Sequence, residues 1–133
     1  EWEYSARGGQ FLSHYKFAGS DYLDEIGWYD ENSHNETKPV GMKPPNTLGL
    51  YDMSGNVWEW CEDDWNLKAY EIIKSNDENP INNMYRDLRN RRRVRRGGSW
   101  SYEALNSYVI FRSNYNFKDR GSNYGFRIYN RIL

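Results

Sequence analysis

The residues with chemistry to offer are few. One cysteine, Cys61, stands at the end of Trp58-Glu59-Trp60-Cys61, and the two histidines, His14 and His34, lie far apart. A single cysteine permits neither an internal disulfide nor a multi-cysteine metal site. Within an aromatic run it reads more readily as a small buried apolar residue than as a nucleophile. Neither histidine has a cysteine at a ligand spacing, which argues against a zinc-type centre. Ser99 sits in a Gly-Gly-Ser turn with no neighbouring base, so nucleophilic hydrolysis has no local support. Asp52 and Glu59 bracket the turn Ser54-Gly55-Asn56. By spacing alone they either cap backbone amides around that turn or offer hard carboxylate oxygens to a cation. The stretch from Ser101 to Tyr124 mixes Tyr with Asn and Ser, notably Tyr102, Asn106, Ser107, Tyr108, Asn114 and Tyr115. Tyrosine gives rigid amphipathic area and Asn and Ser give adaptable hydrogen bonds, a mixture suited to recognition. The competing reading puts half of these aromatics in the core of alternating strands.

Composition bounds what could position such residues. With 133 residues, one domain is expected. Hydrophobic content is 38%, offset by 17% aromatics and six tryptophans. Each tryptophan contributes about 4–6 kcal/mol if fully buried. Trp2, Trp28, Trp58, Trp60 and Trp100 are expected to be mostly core, with Trp65 left open. The formal charge of −1 provides no global field for nucleic acid or an anionic membrane. Arg86, Arg89, Arg91, Arg92, Arg93, Arg95 and Arg96 cluster, but no nucleic-acid-binding motif surrounds them. Pairing with Glu59, Glu62, Asp63 and Asp64, along with solvated faces, accounts for them; Arg112 and Arg127 are read the same way. No apolar run is long enough to span a membrane. Glu1-Trp2-Glu3-Tyr4 does not resemble a signal peptide. A signal on a longer parent chain would place the protein in the cell envelope or outside the cell.

Along the chain, Glu1 to Ala6 predicts the end of an amphipathic helix stopped by Gly8-Gly9. Phe11 to Asn35 has no sustained period and predicts irregular structure with short strands. Lys43-Pro44-Pro45-Asn46 predicts a rigid turn, because two prolines fix φ and remove two donors. Ser75 to Pro80 reads as loop within a polar excursion. Arg93 to Trp100 predicts a strand running into a tight Gly97-Gly98 turn. Tyr108 to Arg112 and Phe126 to Ile132 predict further strands. The sum is an α+β domain with short strands and much loop.

Several blocks occur together in order: Glu1-Trp2-Glu3-Tyr4-Ser5-Ala6-Arg7-Gly8-Gly9, Leu48 to Trp60, Arg96-Gly97-Gly98-Ser99-Trp100 and Gly125-Phe126-Arg127. Pro39-Val40-Gly41 with Pro44-Pro45-Asn46 fits the same scheme. The chain resembles the formylglycine-generating, or sulfatase-modifying-factor, family over nearly all its length. The resemblance implies a C-type-lectin-like α+β fold of which this is the C-terminal portion. The N-terminal part of the domain is expected to be missing. Exposed surface that the remainder would cover predicts oligomerisation or marginal stability.

The resemblance also implies site residues. Asp52, Gly55, Val57 and Glu59 match positions at which the family binds a structural calcium ion. Its oxidases convert a substrate cysteine to formylglycine with two thiolates that bind copper(I), a soft ion suited to sulfur. Matching Gly97-Gly98-Ser99-Trp100 puts those thiolates at Tyr102 and Ser107, so no copper is expected. Related iron enzymes use three histidines, which two cannot supply. Some bacterial and phage members diversify the stretch equivalent to 101–124 to bind different targets. The leading expectation is therefore a calcium-supported module that binds a protein or small ligand there. A formylglycine-generating oxidase and a structural cell-envelope domain of a larger protein are the alternatives.

Overall fold

Alternation along Trp58-Glu59-Trp60-Cys61 gives the central strand two unlike faces, and the rest of the fold follows from covering them. In the computed structural model, which describes residues 1–72 and 91–129, this strand is β1 (Trp58–Asp64). It pairs antiparallel with β2 (Arg92–Arg96), with Glu59 opposite Arg96 and Trp60 opposite Arg95. An irregularity between Trp60 and Asp64 resets the register. β2 pairs antiparallel with β3 (Ser113–Asn116), and β1 pairs in parallel with β4 (Tyr124–Gly125). The sheet order is β3-β2-β1-β4.

Because side chains alternate across a sheet, this register collects Trp58, Trp60, Arg95, Ser113, Tyr115 and Tyr124 on one face. Glu59, Cys61, Val94 and Arg96 share the other. Helix α1 (Trp2–Ala6) closes the second face. Trp2 Nε1 donates to Glu59 Oε2 at 2.6 Å, and Arg96 Nη2 donates to Glu3 Oε2 at 3.0 Å. The Tyr70 hydroxyl, from helix α3 (Ala69–Ile72), accepts from Arg96 Nη2 at 2.9 Å. The helix stop at Gly8 and Gly9 is as expected, with φ of 91° and 62°. A short helix α2 (Leu23–Ile26) interrupts the otherwise irregular segment from Phe11 to Asn35. No helix among the described residues is long and apolar enough to cross a membrane.

The buried core is divided. Ala6, Ala18, Met53 and Val109 form one cluster with Trp2 and Leu50 against it; Phe17, Leu23, Ile26 and Tyr29 form another with Ala104 and Tyr108. Of the five tryptophans expected in the core, only Trp58 is fully buried; Trp2, Trp28, Trp60 and Trp100 are half-buried, as is Trp65. Their polar edges explain part of this. Trp2 Nε1 reaches Glu59, and Trp100 Nε1 reaches Ser122 O at 3.4 Å.

Two predicted strands are absent from their expected places. Tyr108–Arg112 is turn and coil, because its carbonyls are claimed by a side chain instead of a ladder: Arg96 Nη1 donates to Val109 O and Phe111 O at 3.0 and 3.4 Å. The strand forms just after it, as β3. Phe126 to Tyr129 is coil, with pairing confined to Tyr124–Gly125 just before it; residues 130–132 of that prediction lie outside the described residues. The loop expected at Ser75–Pro80 and the arginines Arg86 and Arg89 also lie outside them.

Candidate functional site

The first candidate site is built on the turn before β1. Asp52, Gly55 and Asn56 have φ of 55°, 85° and 63°, a left-handed succession that folds the chain back on itself. Gly55 is required: a Cβ there would sit 2.4 Å from Trp28 O. The turn is tied on several sides. Gly55 N donates to Gly97 O at 2.6 Å, Asn56 N to Trp28 O at 2.7 Å, and Trp100 N to Asn56 O at 2.8 Å. Asp52 Oδ2 accepts the Gly41 N–H at 2.8 Å. Glu59, 5% exposed, accepts from Trp2 Nε1 and, at 2.7 and 2.5 Å, from Arg127 Nε and Nη2. Arg127 Nη2 also donates to Tyr51 O at 2.9 Å.

Glu59 thus pairs with Arg127, and Asp64 pairs with Arg91 at 2.5 Å, as complementary pairing predicts. Arg112 differs. It lies over Trp65 and Tyr70, 5.0 and 4.9 Å from the ring centroids, and donates to Asn66 O.

The expected calcium donors meet in chemical type, since Asp52 and Glu59 carry carboxylate oxygens and Gly55 and Val57 carry carbonyls on one short turn. Charge is where the fit is weakest. Arg127 already meets part of the negative charge of Glu59, leaving less for a divalent cation. Among the described residues, no three His, Cys, Asp or Glu side chains gather as a metal-holding group.

The second candidate site is the aromatic face of the sheet. The Arg95 guanidinium lies 4.3 Å from the Trp58 ring centroid, 5.1 Å from Tyr115, 5.3 Å from Tyr124 and 5.5 Å from Tyr102. Tyr102 meets Trp58 edge-on at 5.3 Å, and Tyr124 lies 5.6 and 5.8 Å from Trp60 and Tyr115. Burial raises the Tyr124 phenol above its ordinary pKa, while the adjacent Arg95 charge opposes that shift.

The six residues singled out between 101 and 124 therefore do not act as one group. Tyr102 and Tyr115 converge on Arg95. Tyr108 instead packs edge-on against Phe17 at 5.0 Å and borders a separate cleft of about 230 Å³ with Arg7, His14, Tyr15 and Lys16. Asn106 and Asn114 are half-buried. Ser107 is fully buried beneath the Gly98 turn, so its side chain does not reach the surface. Arg95, Trp58 and Tyr124 are not singled out as site residues by the sequence. The clue is present as alternating Trp58 and Trp60, but only the β1–β2 register shows which arginine joins them.

Cys61 is the sequence's one thiol, and burial foremost pushes its pKa up to about 12, with Arg96 opposing. A thiol held protonated in this way is a poor nucleophile.

A small mixed sheet with few helices and long ordered loops is an α+β architecture of the C-type-lectin-like kind. Treponema denticola variable protein 1 shares it, with a TM-score of 0.73 and 35% identity over 95% of this chain and 43% of that one. The model of the sulfatase-modifying factor enzyme 1-like domain matches residues 1–132, and the chain belongs to that family. Chaperone protein LppX of Paenibacillus barcinonensis is 32% identical over 145 residues, spanning 96% of this chain and 46% of that protein. The formylglycine-generating enzyme of Streptomyces coelicolor is 36% identical over 149 residues, spanning 98% of this chain and 44% of the enzyme. The chain thus spans under half the length of these relatives.

Proposed function

We propose that this chain is a non-oxidising member of its family that binds a protein or other ligand through the aromatic face and the loops of residues 101–124. The observation that carries this reading is the convergence of Tyr102, Tyr115 and Tyr124 on one patch over β1 and β2. Half-exposed tyrosines held against a rigid sheet give large contact area with little side-chain entropy to lose. The relatives do not all carry enzyme names: a chaperone protein and a formylglycine-generating enzyme match at similar identity. A copper(I) pair of thiolates needs two cysteines, and this sequence has one.

The test begins with selection of ligands from a displayed peptide library. Tyr115→Ala is expected to abolish binding with only a small change in melting temperature, because Tyr115 is 41% exposed and gives up only its ring contacts with Arg95 and Tyr124. Tyr108→Ala should instead lower the melting temperature, since its ring packs on Phe17. Unchanged binding by both Tyr115→Ala and Tyr102→Ala would remove the surface from consideration. The oxidase alternative predicts stoichiometric copper(I) binding and aldehyde formation on a cysteine peptide; that result would replace the binding-module reading.

Calcium belongs to the same proposal. Asp52 and Glu59, with the carbonyls of Gly55 and Val57, would hold one ion that braces the turn. With Arg127 competing for Glu59, affinity is expected in the weak range of extracellular modules, roughly 0.1–1 mM.

A further inference from the structure

Arg95 is placed where a cation is costly. It is 5% exposed, its Nε donates to Ser113 Oγ at 3.1 Å, and its Nη1 is buried without a hydrogen-bond partner. Among the described residues, no carboxylate lies within ion-pair distance of it. The Nε1 of Trp58, the ring stacked at 4.3 Å, is also buried without a partner. Buried polar groups almost always find partners, and an uncompensated buried charge is among the most destabilising features a fold can carry. Aromatic faces recover part of that cost through cation–π attraction. The Tyr124 hydroxyl also lies near enough to act on the guanidinium as an acceptor, but no acceptor reaches Nη1.

From this deficit we infer that the Arg95 cage is a subsite for a carboxylate, presented as an Asp or Glu side chain of a polypeptide partner. The inference rests on reading residues 101–124 as a binding surface and names what that surface selects. A planar guanidinium matches a carboxylate with paired hydrogen bonds, which an ammonium cannot do. The rings divide by position. Trp58, 1% exposed, is the floor, and Tyr115, 41% exposed, is the outermost cover. Rotation of the Tyr115 ring opens the guanidinium to a partner, and rotamer changes of that kind are common at interfaces. A small free acid would need an enclosing cavity to bury most of its surface. Here the surround is a set of partly exposed tyrosines, Tyr102, Tyr115 and Tyr124, which suits a chain laid across it. A cationic ligand is ruled out because Arg95 already fills the cage.

The test uses the full chain and tryptophan fluorescence, since Trp58 and Trp60 flank the cage. A blocked peptide with two adjacent Glu residues is titrated beside its Gln counterpart at low salt. Saturable binding of the Glu peptide is expected, with the Gln peptide weaker by roughly thirty-fold or more, the loss typical of an unpaired buried charge. Arg95→Leu should show the same loss. Arg95→Lys should fall between, keeping charge but not the planar fork. Replacing an unpaired buried cation by an apolar residue leaves stability equal or higher, so Arg95→Leu is expected to melt no lower than the parent chain. Should that variant not fold, Arg95→Lys and the Glu/Gln comparison on the parent chain still decide. Equal affinity for both peptides, no saturable binding, or full binding by folded Arg95→Leu would each overturn the carboxylate subsite. If Arg95→Leu binds fully while Tyr115→Ala loses its selected peptide, the carboxylate inference falls and the surface reading survives.

Discussion

At Asp52, one carboxylate does two jobs that can be separated. It holds the Gly41 amide and, on the calcium reading, contributes oxygen to an ion shared with Glu59. Alanine is a poor probe there, because a φ of 55° strains any residue with an ordinary side chain. Glycine removes the carboxylate and keeps the backbone at ease. With free calcium ten times its dissociation constant, binding adds about 1.4 kcal/mol, or roughly 4–8 °C in melting temperature for a domain near this size. Differential scanning calorimetry in 10 mM calcium against chelator should show that rise in the parent chain and none in Asp52→Gly. Equal melting temperatures in the two buffers would mean that Arg127, not a metal, is the cation that completes Glu59. The other charged residues behave as their positions dictate. Arg96 reaches Glu3, Tyr70 and two carbonyls, so it works as a structural clamp.

The element that organises both candidate sites is the Gly97-Gly98 turn after β2. Gly97 O receives the Gly55 amide, which locks the Asp52–Asn56 turn to the sheet. Gly98, with φ of 73°, lies so close to the 3-10 turn Ala104–Ser107 that a Cβ would come within 2.2 Å of Ser107 Oγ and 3.0 Å of Ser107 N and Cα. Gly98→Ala is therefore expected to cost more than the roughly 1–3 kcal/mol of backbone strain alone. Combining it with Ser107→Ala should recover only part of the loss, because the backbone contacts remain. Urea melts of the two single variants and the double variant would measure this; full recovery in the double variant would show that the backbone yields freely. The turn was legible in sequence because two adjacent glycines after a strand have few other uses. The strands beyond it were not. Tyr108–Arg112 has strand composition, yet Arg96 takes its carbonyls, and nothing local in the sequence announces a side chain arriving from thirteen residues earlier. The same limit hid the Arg95 cage, which depends on register between strands joined by a long connection.

For the molecule as a whole, small divided cores make stability depend on a few groups withdrawn from water, and two of these, the buried Tyr29 and the half-buried Cys61, titrate at high pH. Tyr29 lies in the Phe17–Ile26 cluster, and its one hydroxyl proton is shared between Asp24 Oδ1 at 3.2 Å and Glu31 Oε2 at 3.1 Å. Burial first, then the hydrogen bond to Glu31, raises its pKa from 10.0 to about 12. Cys61, on the α1 side of the sheet, is raised from 9.0 to about 12, chiefly by burial. Both groups hold their protons longer folded than unfolded. Through these two groups the folded state binds more protons across this range, so their contribution to stability falls as pH rises, opposed by Lys43, whose pKa desolvation lowers. The contribution is fully present below about pH 9 for the thiol and about pH 10 for the phenol, and is lost as pH passes 12. Urea midpoints measured at pH 8, 9.5 and 11 should decline progressively in the parent chain. Cys61→Ala should flatten the fall between the first two, and Tyr29→Phe the fall between the last two, at the cost of its shared hydrogen bond at every pH. If neither variant alters the decline, the alkaline instability arises from groups other than these two. The divided core would then not be what sets the molecule's tolerance of base.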